Sequence, residues 1–207
     1  AVAFLKRASK SGIVRDRNGK PSQREMTGEL VVKDVISEMD GFVYLIDIDK
    51  QSVKTGGPEN VNVSATRYNF HSHPEEAYIR HSVEKAWPSV TDYLGFHSLG
   101  EHTIFHCVAT LEGIYILSFG PYWANRLKKV SRRFIDKRYD IDHTSKYTPE
   151  EYVEKVNKIC YKRHPIYKVL YFPWNQADTP FKVAFSKIAS SCLTTQQGVE
   201  RIHKLYK

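Results

Sequence analysis

Cysteine is scarce in this chain, whose 207 residues include only Cys107, Cys160 and Cys192. The three are odd in number and far apart, and no two of them have the Cys-x-x-Cys spacing. This distribution argues for three free thiols and against a zinc site built from cysteines. Free thiols are typical of a reducing environment. We therefore expect a cytoplasmic or other reducing intracellular location.

Long apolar runs are absent as well. No stretch approaches the roughly 18 residues that a membrane span needs, so no span is expected. Internal repeats and low-complexity tracts are also missing. Hydrophobic residues make up 41% of the chain and aromatic residues 13%, which is the composition of a globular protein. A chain of this length is expected to form one domain with an extension, or two small domains.

Charge is divided unevenly along the sequence. Residues 1–119 hold 13 Lys and Arg against 15 Asp and Glu, whereas residues 120–207 hold 18 against 8. The second part therefore has a net charge of +10, which exceeds the +8 of the whole chain. The change falls at Gly120-Pro121, a pair that breaks regular structure. We predict a first domain over residues 1–119 and a basic, mainly helical and aromatic extension over residues 120–207.

In the first part, five segments are predicted as strands because apolar and β-branched residues alternate or cluster in them. They are residues 30–35, 42–48, 61–70, 103–109 and 114–119. The last two flank Glu112-Gly113 and predict a hairpin. Pro74 ends the strand that leads into His71, because proline has no N–H to donate. A helix is predicted to begin at Ser89, with Asp92 three residues later in the spacing of a capping box.

The second part has a helical pattern. Trp123, Leu127, Val130 and Phe134 form an amphipathic stripe, which predicts a helix with a basic opposite face. Thr148 to Glu151 has the pattern of a capping box with proline at the first helical position. Residues 166–174 are rich in aromatic and β-branched residues and predict a strand or an extended arm. A last short helix is predicted near Thr194.

Two histidines in this sequence have the spacing of metal ligands. His71 and His73 are two residues apart on a predicted strand, so their side chains lie on the same side. With Asp92 from the following helix, they offer two nitrogens and one oxygen, which suits Zn²⁺ with an open fourth position for water. The alternative is coincidence, since the chain has nine histidines and Ser-x-x-Asp alone is an ordinary helix cap.

The pattern His71-Ser72-His73-Pro74 followed by Ser89-Val90-Thr91-Asp92 resembles the signature of the JAB/MPN metalloprotease family, also called JAMM. That signature includes an earlier Glu in the setting Glu-x-x-Gly-x-aliphatic, which residues 25–30 fit. The resemblance covers about residues 22–119. It implies an α/β (α+β) fold, in which a mixed β-sheet is flanked by helices.

The resemblance also implies roles for the residues. His71, His73 and Asp92 would hold Zn²⁺, Glu25 would be the general acid and base, and Ser89 would help to stabilise the oxyanion. These roles agree with the chemistry, since a carboxylate that is not a ligand must move the proton of the attacking water. A nearby hydroxyl can donate to the developing oxyanion.

The sequence departs from the family pattern in two respects. Fourteen residues separate Pro74 from Ser89, where the family has a shorter connection. This segment, residues 75–88, is predicted to be either a lid that contacts substrate or a loop that blocks the site. In addition, Glu38 also stands in a Glu-x-x-Gly-x-aliphatic setting. Glu25 is preferred because it leaves room for two strands before His71.

Two classes of function fit these observations. The first is a zinc-dependent peptidase or isopeptidase that acts on ubiquitin-like conjugates or on peptides. The second is a structural subunit of a large assembly, such as a virus particle, that keeps the MPN fold with a vestigial site. The basic extension is predicted to bind an acidic protein partner. Nucleic acid is the alternative, but no RNP, KH, helix-turn-helix or zinc-finger pattern is present.

Overall fold

A computed structural model describes residues 1–15, 17–38, 41–58, 61–123 and 126–176 of the chain. Its helices are α1 (Val2–Ala8), α2 (Glu75–His81), α3 (Val90–Leu99), α4 (Arg132–Tyr139) and α5 (Pro149–Asn157). Its strands are β1 (Ile13–Arg15), β2 (Pro21–Gln23), β3 (Met26–Glu38), β4 (Gly41–Thr55), β5 (Tyr68–Ser72), β6 (Phe105–Ala109), β7 (Gly113–Phe119), β8 (Cys160–Tyr161), β9 (His164–Pro165) and β10 (Tyr167–Pro173). Short 3₁₀ turns lie at Gly100–His102 and Leu127–Lys129.

Six strands form one mixed sheet in the order β10-β7-β6-β5-β3-β4. All neighbours are antiparallel except β5 and β6, which are parallel and are joined by a connection that contains α2 and α3. This arrangement confirms the predicted mixed sheet flanked by helices. The hairpin of β6 and β7 is also confirmed. The two predicted early strands are present and are longer than expected, as β3 and β4.

Both faces of the central strands of the sheet are covered. On one face, Cys107 and Ala109 of β6 pack with Leu5 and Ala8 of α1. On the other face, Val108 of β6 packs with side chains from α3, α4 and α5. This alternation follows from the period of two along a strand. It places the odd-numbered residues of β5, including His71, on the face that α3 covers.

The two parts of the chain that differ in charge share this core. Strand β10 pairs with β7 over seven residues, so the second part supplies the edge strand of the main sheet. Tyr152 and Val156 of α5 are fully buried in the same cluster as Trp87 and Tyr115 of the first part. The boundary at Gly120 stays a prediction, while the described residues on both sides of it pack together.

Two predicted elements differ from the structure. The strand predicted over residues 61–70 begins only at Tyr68, because the Asn69 side chain donates to the carbonyls of Ser64 and Thr66 and so turns the preceding segment back. The helix predicted over residues 123–134 is instead a 3₁₀ turn followed by α4. Val130 has an extended backbone, with φ of −89° and ψ of 125°, which interrupts any continuous helix.

Other features of the second part agree with expectation. The capping box at Thr148 opens α5, and residues 166–174 contain β10. Cys107 and Cys160 are free thiols, while Cys192 and the helix predicted near Thr194 lie outside the described residues. None of the helices within the described ranges has both the length and the apolar character that a bilayer span requires.

Candidate metal centre

His71 and His73 reach one point from the end of β5. His71 lies in the strand and His73 follows two residues later, where its backbone N–H still bonds to the carbonyl of Ala109 on β6 at 2.9 Å. The two side chains therefore leave the same face of the sheet. Their Nε2 atoms lie 3.0 Å apart. The convergence expected from the spacing of the two histidines is present.

Asp92 comes from the first turn of α3, where a capping box holds it. Its Oδ2 accepts hydrogen bonds from the Ser89 N–H at 2.6 Å and from the Ser89 hydroxyl at 2.8 Å. The Asp92 N–H donates in return to the Ser89 hydroxyl at 3.3 Å. These bonds fix the carboxylate relative to the helix. Its Oδ1 lies 3.0 Å from His71 Nε2, and its Oδ2 lies 3.3 Å from His73 Nε2.

Together these three side chains can hold a metal ion. Their ligand atoms all lie within 4.8 Å of one another, and no second such group occurs in the part of the chain that the structure describes. Ligand atoms about 2.0–2.2 Å from one ion are roughly 3–3.6 Å apart, so the observed separations need little adjustment. His71 is 3% exposed and His73 is 9% exposed, so both ligand side chains are buried.

The electrostatics of the group are those of a site that attracts cations. Burial alone would lower the pKa of His73, but the Asp92 carboxylate outweighs it and raises this pKa to about 9. Burial would also raise the pKa of Asp92, but His71 and His73 hold it well below its usual range. In the absence of metal, the protonated His73 ring therefore supplies the positive charge that a metal ion would otherwise bring to the site.

A second layer of hydrogen bonds orients both imidazoles. His73 Nδ1 donates to the carbonyl of Ala86 at 2.7 Å, which leaves the lone pair of Nε2 for a metal. His71 Nδ1 lies 2.6 Å from Nε2 of His106, and His106 Nδ1 in turn contacts Oδ1 of Asn69. Burial holds the pKa of His106 well below its usual range, so this ring is neutral.

Glu25 lies in the same cleft as the histidines. It immediately precedes β3, and two backbone hydrogen bonds to Gly56 and Gly57, of 2.8 and 2.9 Å, hold it there. The residue is 8% exposed and lines the cleft beside His71 and His73. Its charge also helps to raise the pKa of His73. This position suits a carboxylate that exchanges protons with a group bound at the metal.

Glu38, the alternative, lies at the far end of β3, where it pairs with Gly41 at the hairpin. The strand rises about 3.3 Å per residue, which puts its backbone roughly 40 Å along the strand from Met26. The Gly of the Glu25 setting has a packing role. A Cβ on Gly28 would lie 2.7 Å from the ring of Phe70, the residue before His71.

The long segment between Pro74 and Ser89 forms a wall of the cleft. It contains α2 and is fastened to Glu112 in the turn between β6 and β7. Glu112 accepts from the Tyr78 hydroxyl at 2.6 Å and from the Ala86 N–H at 3.0 Å. Residues 140–144 of the second part also line this cleft, which has a volume of about 860 Å³.

The backbone that leads into α3 is held by three successive carbonyls. Ala86 accepts from His73, Trp87 accepts from His143 Nε2 at 2.8 Å, and Pro88 accepts from the Tyr152 hydroxyl at 2.8 Å. Two of these donors belong to the second part of the chain. That part therefore helps to set the position of Ser89 and Asp92.

The sequence prediction missed several residues around the site. Asn69 and His106 carried a usable signal, since each is a polar residue between two apolar neighbours in the sequence, and Asn69 shares the face of His71. His143 and Tyr152 carried no such signal, because their distance from the site along the chain hides the contact. With this geometry established, comparison with known proteins found no matching family model, curated protein or solved structure.

Proposed function

We propose that this protein is a zinc-dependent peptidase or isopeptidase of the JAMM type, acting on ubiquitin-like conjugates or on peptides. The observation that carries the proposal is the meeting of His71, His73 and Asp92 beside the carboxylate of Glu25 in one open cleft. Two imidazoles and a carboxylate suit zinc in a site with an open position. Ferrous iron accepts the same donors, so metal analysis of the purified protein is the first test.

Each residue of the site has its own role in the proposed hydrolysis. His71, His73 and Asp92 would hold the metal, with Ser89 fixing the Asp92 carboxylate through its hydroxyl and N–H. Bound zinc supplies Lewis acidity, which lowers the pKa of water from 15.7 to about 7 and polarises a carbonyl. Glu25 takes the proton of the attacking water and delivers it to the leaving amine. The Ser89 hydroxyl donates to the oxyanion once it turns away from Asp92.

The cleft supports a substrate of peptide size. At about 860 Å³ it lies within the range of roughly 300–1,000 Å³ that is usual for binding sites. Its walls include residues 75–88 and 140–144, and His71, His73 and Asp92 line the same space. We propose that residues 75–88 contact substrate as a fixed wall, since the bonds of Tyr78 and Ala86 to Glu112 hold this segment in place.

The basic surface is assigned to a partner and not to catalysis. Arg132, Arg133, Lys137 and Arg138 of α4 are exposed, while Ile135 and Tyr139 of the same helix are buried. This arrangement supports an acidic protein surface as the partner. Attraction between exposed charges is screened over about 10 Å at 0.1 M salt, so the contact should weaken as salt rises.

Substitution of Glu25 by glutamine tests the catalytic proposal. Glu25→Gln keeps the shape of the side chain and removes its basicity, so hydrolysis should fall by about 10²–10⁴-fold while zinc stays bound. The assay is cleavage of an isopeptide-linked ubiquitin dimer and of a peptide library by the full zinc-loaded chain. Glu29→Gln is the matched control, because it makes the same change on β3 at a residue that does not line the cleft.

Two outcomes would contradict the proposal. Full activity of Glu25→Gln would remove Glu25 from the mechanism. A wild-type protein that holds one zinc per chain and cleaves none of these substrates would favour the structural subunit.

A further inference from the structure

A third histidine lies behind the metal centre and is not one of its ligands. His106 is on β6, which runs parallel to β5 with Asn69 opposite His106 in the register. Asn69, His71 and His106 therefore share the face that α3 covers. His106 is 3% exposed and Asn69 is fully buried. Both ring nitrogens of His106 are engaged, one by His71 and one by Asn69.

The direction of these hydrogen bonds is fixed from the Asn69 end. The Nδ2 group of Asn69 donates to the carbonyl of Ser64 at 2.9 Å and approaches that of Thr66 at 3.4 Å. Backbone carbonyls only accept, so the amide cannot be flipped without losing both bonds. Its Oδ1 must then face His106, where it accepts the hydrogen on Nδ1.

The donor and acceptor roles of His106 determine those of His71. A neutral imidazole has one N–H and one lone pair. With its hydrogen on Nδ1, His106 offers the lone pair of Nε2, which accepts from Nδ1 of His71 at 2.6 Å. His71 is therefore held with its hydrogen on Nδ1. A metal ion would then be bound by the lone pair of its Nε2 together with Asp92 Oδ1, which is 3.0 Å away.

We propose that Asn69 and His106 are positioning residues that hold His71 in the tautomer that binds metal through Nε2. This inference rests on the metal centre of the proposed function but not on its hydrolytic activity. His73 needs no positioning residues of this kind, because its Nδ1 donates directly to the carbonyl of Ala86. The simpler alternative is that His106 only fills space in the core, as Phe96 does beside it.

Zinc affinity distinguishes these two roles. The full chain is stripped of metal, and zinc is titrated against a chromophoric chelator at fixed pH. His106→Leu fills similar space without an acceptor, so zinc should bind about 10–100-fold more weakly, as is usual when such a partner is lost. His106→Gln restores an acceptor through its side-chain carbonyl, so it should recover most of this loss. His97→Leu, a half-buried histidine on α3 that does not line the cleft, is the control and should leave affinity unchanged.

Nitrogen-15 NMR of the histidines in the wild-type protein needs no variant. The expected result is a hydrogen on Nδ1 of His71 both before and after zinc is added. The proposed positioning role of Asn69 and His106 is wrong if Nδ1 of His71 carries no hydrogen in either form. It is also wrong if His106→Leu binds zinc as tightly as the wild type. Should the wild type take up no zinc, the metal centre fails, while the spectrum of the metal-free protein still decides the tautomer. The two failures are thus separable.

Discussion

Removal of one hydroxyl group, in Tyr152→Phe, tests whether the second part of the chain holds the metal centre in shape. Tyr152 is fully buried on α5. Its hydroxyl donates to the carbonyl of Pro88 at 2.8 Å and lies 2.6 Å from the hydroxyl of Tyr93. Because Tyr152 donates to Pro88, Tyr93 must donate to Tyr152. Pro88 directly precedes Ser89, whose cap fixes Asp92.

The expected cost follows from the two partners that are left behind. The Pro88 carbonyl and the Tyr93 hydroxyl both lose a hydrogen bond in the core. Each buried polar group without a partner costs about 1–3 kcal/mol, so the variant should lose about 2–6 kcal/mol of unfolding free energy. For a chain of this size, each kcal/mol lowers Tm by about 2–4 °C. The smallest expected decrease is therefore about 4 °C.

Thermal unfolding followed by circular dichroism measures the stability, and zinc titration against a chelator measures the site. Zinc affinity should fall as well, because the turn that presents Asp92 loses an anchor. Tyr122→Phe is the matched control: Tyr122 is 42% exposed, and the change should stay within about 0.5 kcal/mol. An unchanged Tm for Tyr152→Phe would refute the stability argument. A lower Tm with unchanged zinc affinity would show that Tyr152 stabilises the fold without positioning Asp92.

Two further predictions follow from the shared core and from the ion pair. A chain that ends at Phe119 should neither unfold cooperatively nor bind zinc, because it exposes Trp87 and Tyr115 and leaves β7 at the edge of the sheet without β10. Circular dichroism and zinc titration measure the two properties. A fragment that folds and binds zinc would establish two domains. In the metal-free protein the proton on His73, with its pKa raised to about 9, must leave before zinc binds. Zinc affinity should therefore rise about tenfold per pH unit up to about pH 9 and then level off, and a flat profile across buffers of pH 7 to 9 would contradict this.

The sequence predicted best those features that local residues decide. A capping box spans four residues, and those at Ser89 and Thr148 both formed as expected. The convergence of His71 and His73 likewise depends on only three consecutive residues of extended backbone. The mixed sheet followed from alternating and apolar segments of ordinary strand length.

Features that depend on contacts distant along the chain were missed. The pairing of His106 with His71 joins residues 35 apart, and that of Tyr152 with Pro88 joins residues 64 apart. The start of β5 was placed too early, because the bonds of the Asn69 side chain to the preceding carbonyls outweigh the alternation before it. An amphipathic stripe predicted one helix over residues 123–134, but it does not show that Val130 is extended and that Ser131 begins a new helix.

Charge and packing give different pictures of how this chain is organised. The change in net charge at Gly120 reflects residues on the surface, such as Lys137 and Arg138, which remain exposed on α4. A domain boundary depends instead on which apolar residues are buried together, and Ile135 of the same helix lies in the core with residues of the first part. Net charge bears on association and solubility and not on fold. The basic region therefore combines two roles: its outer face remains available to an acidic partner, while His143 and Tyr152 on its inner side hold the backbone that presents Asp92.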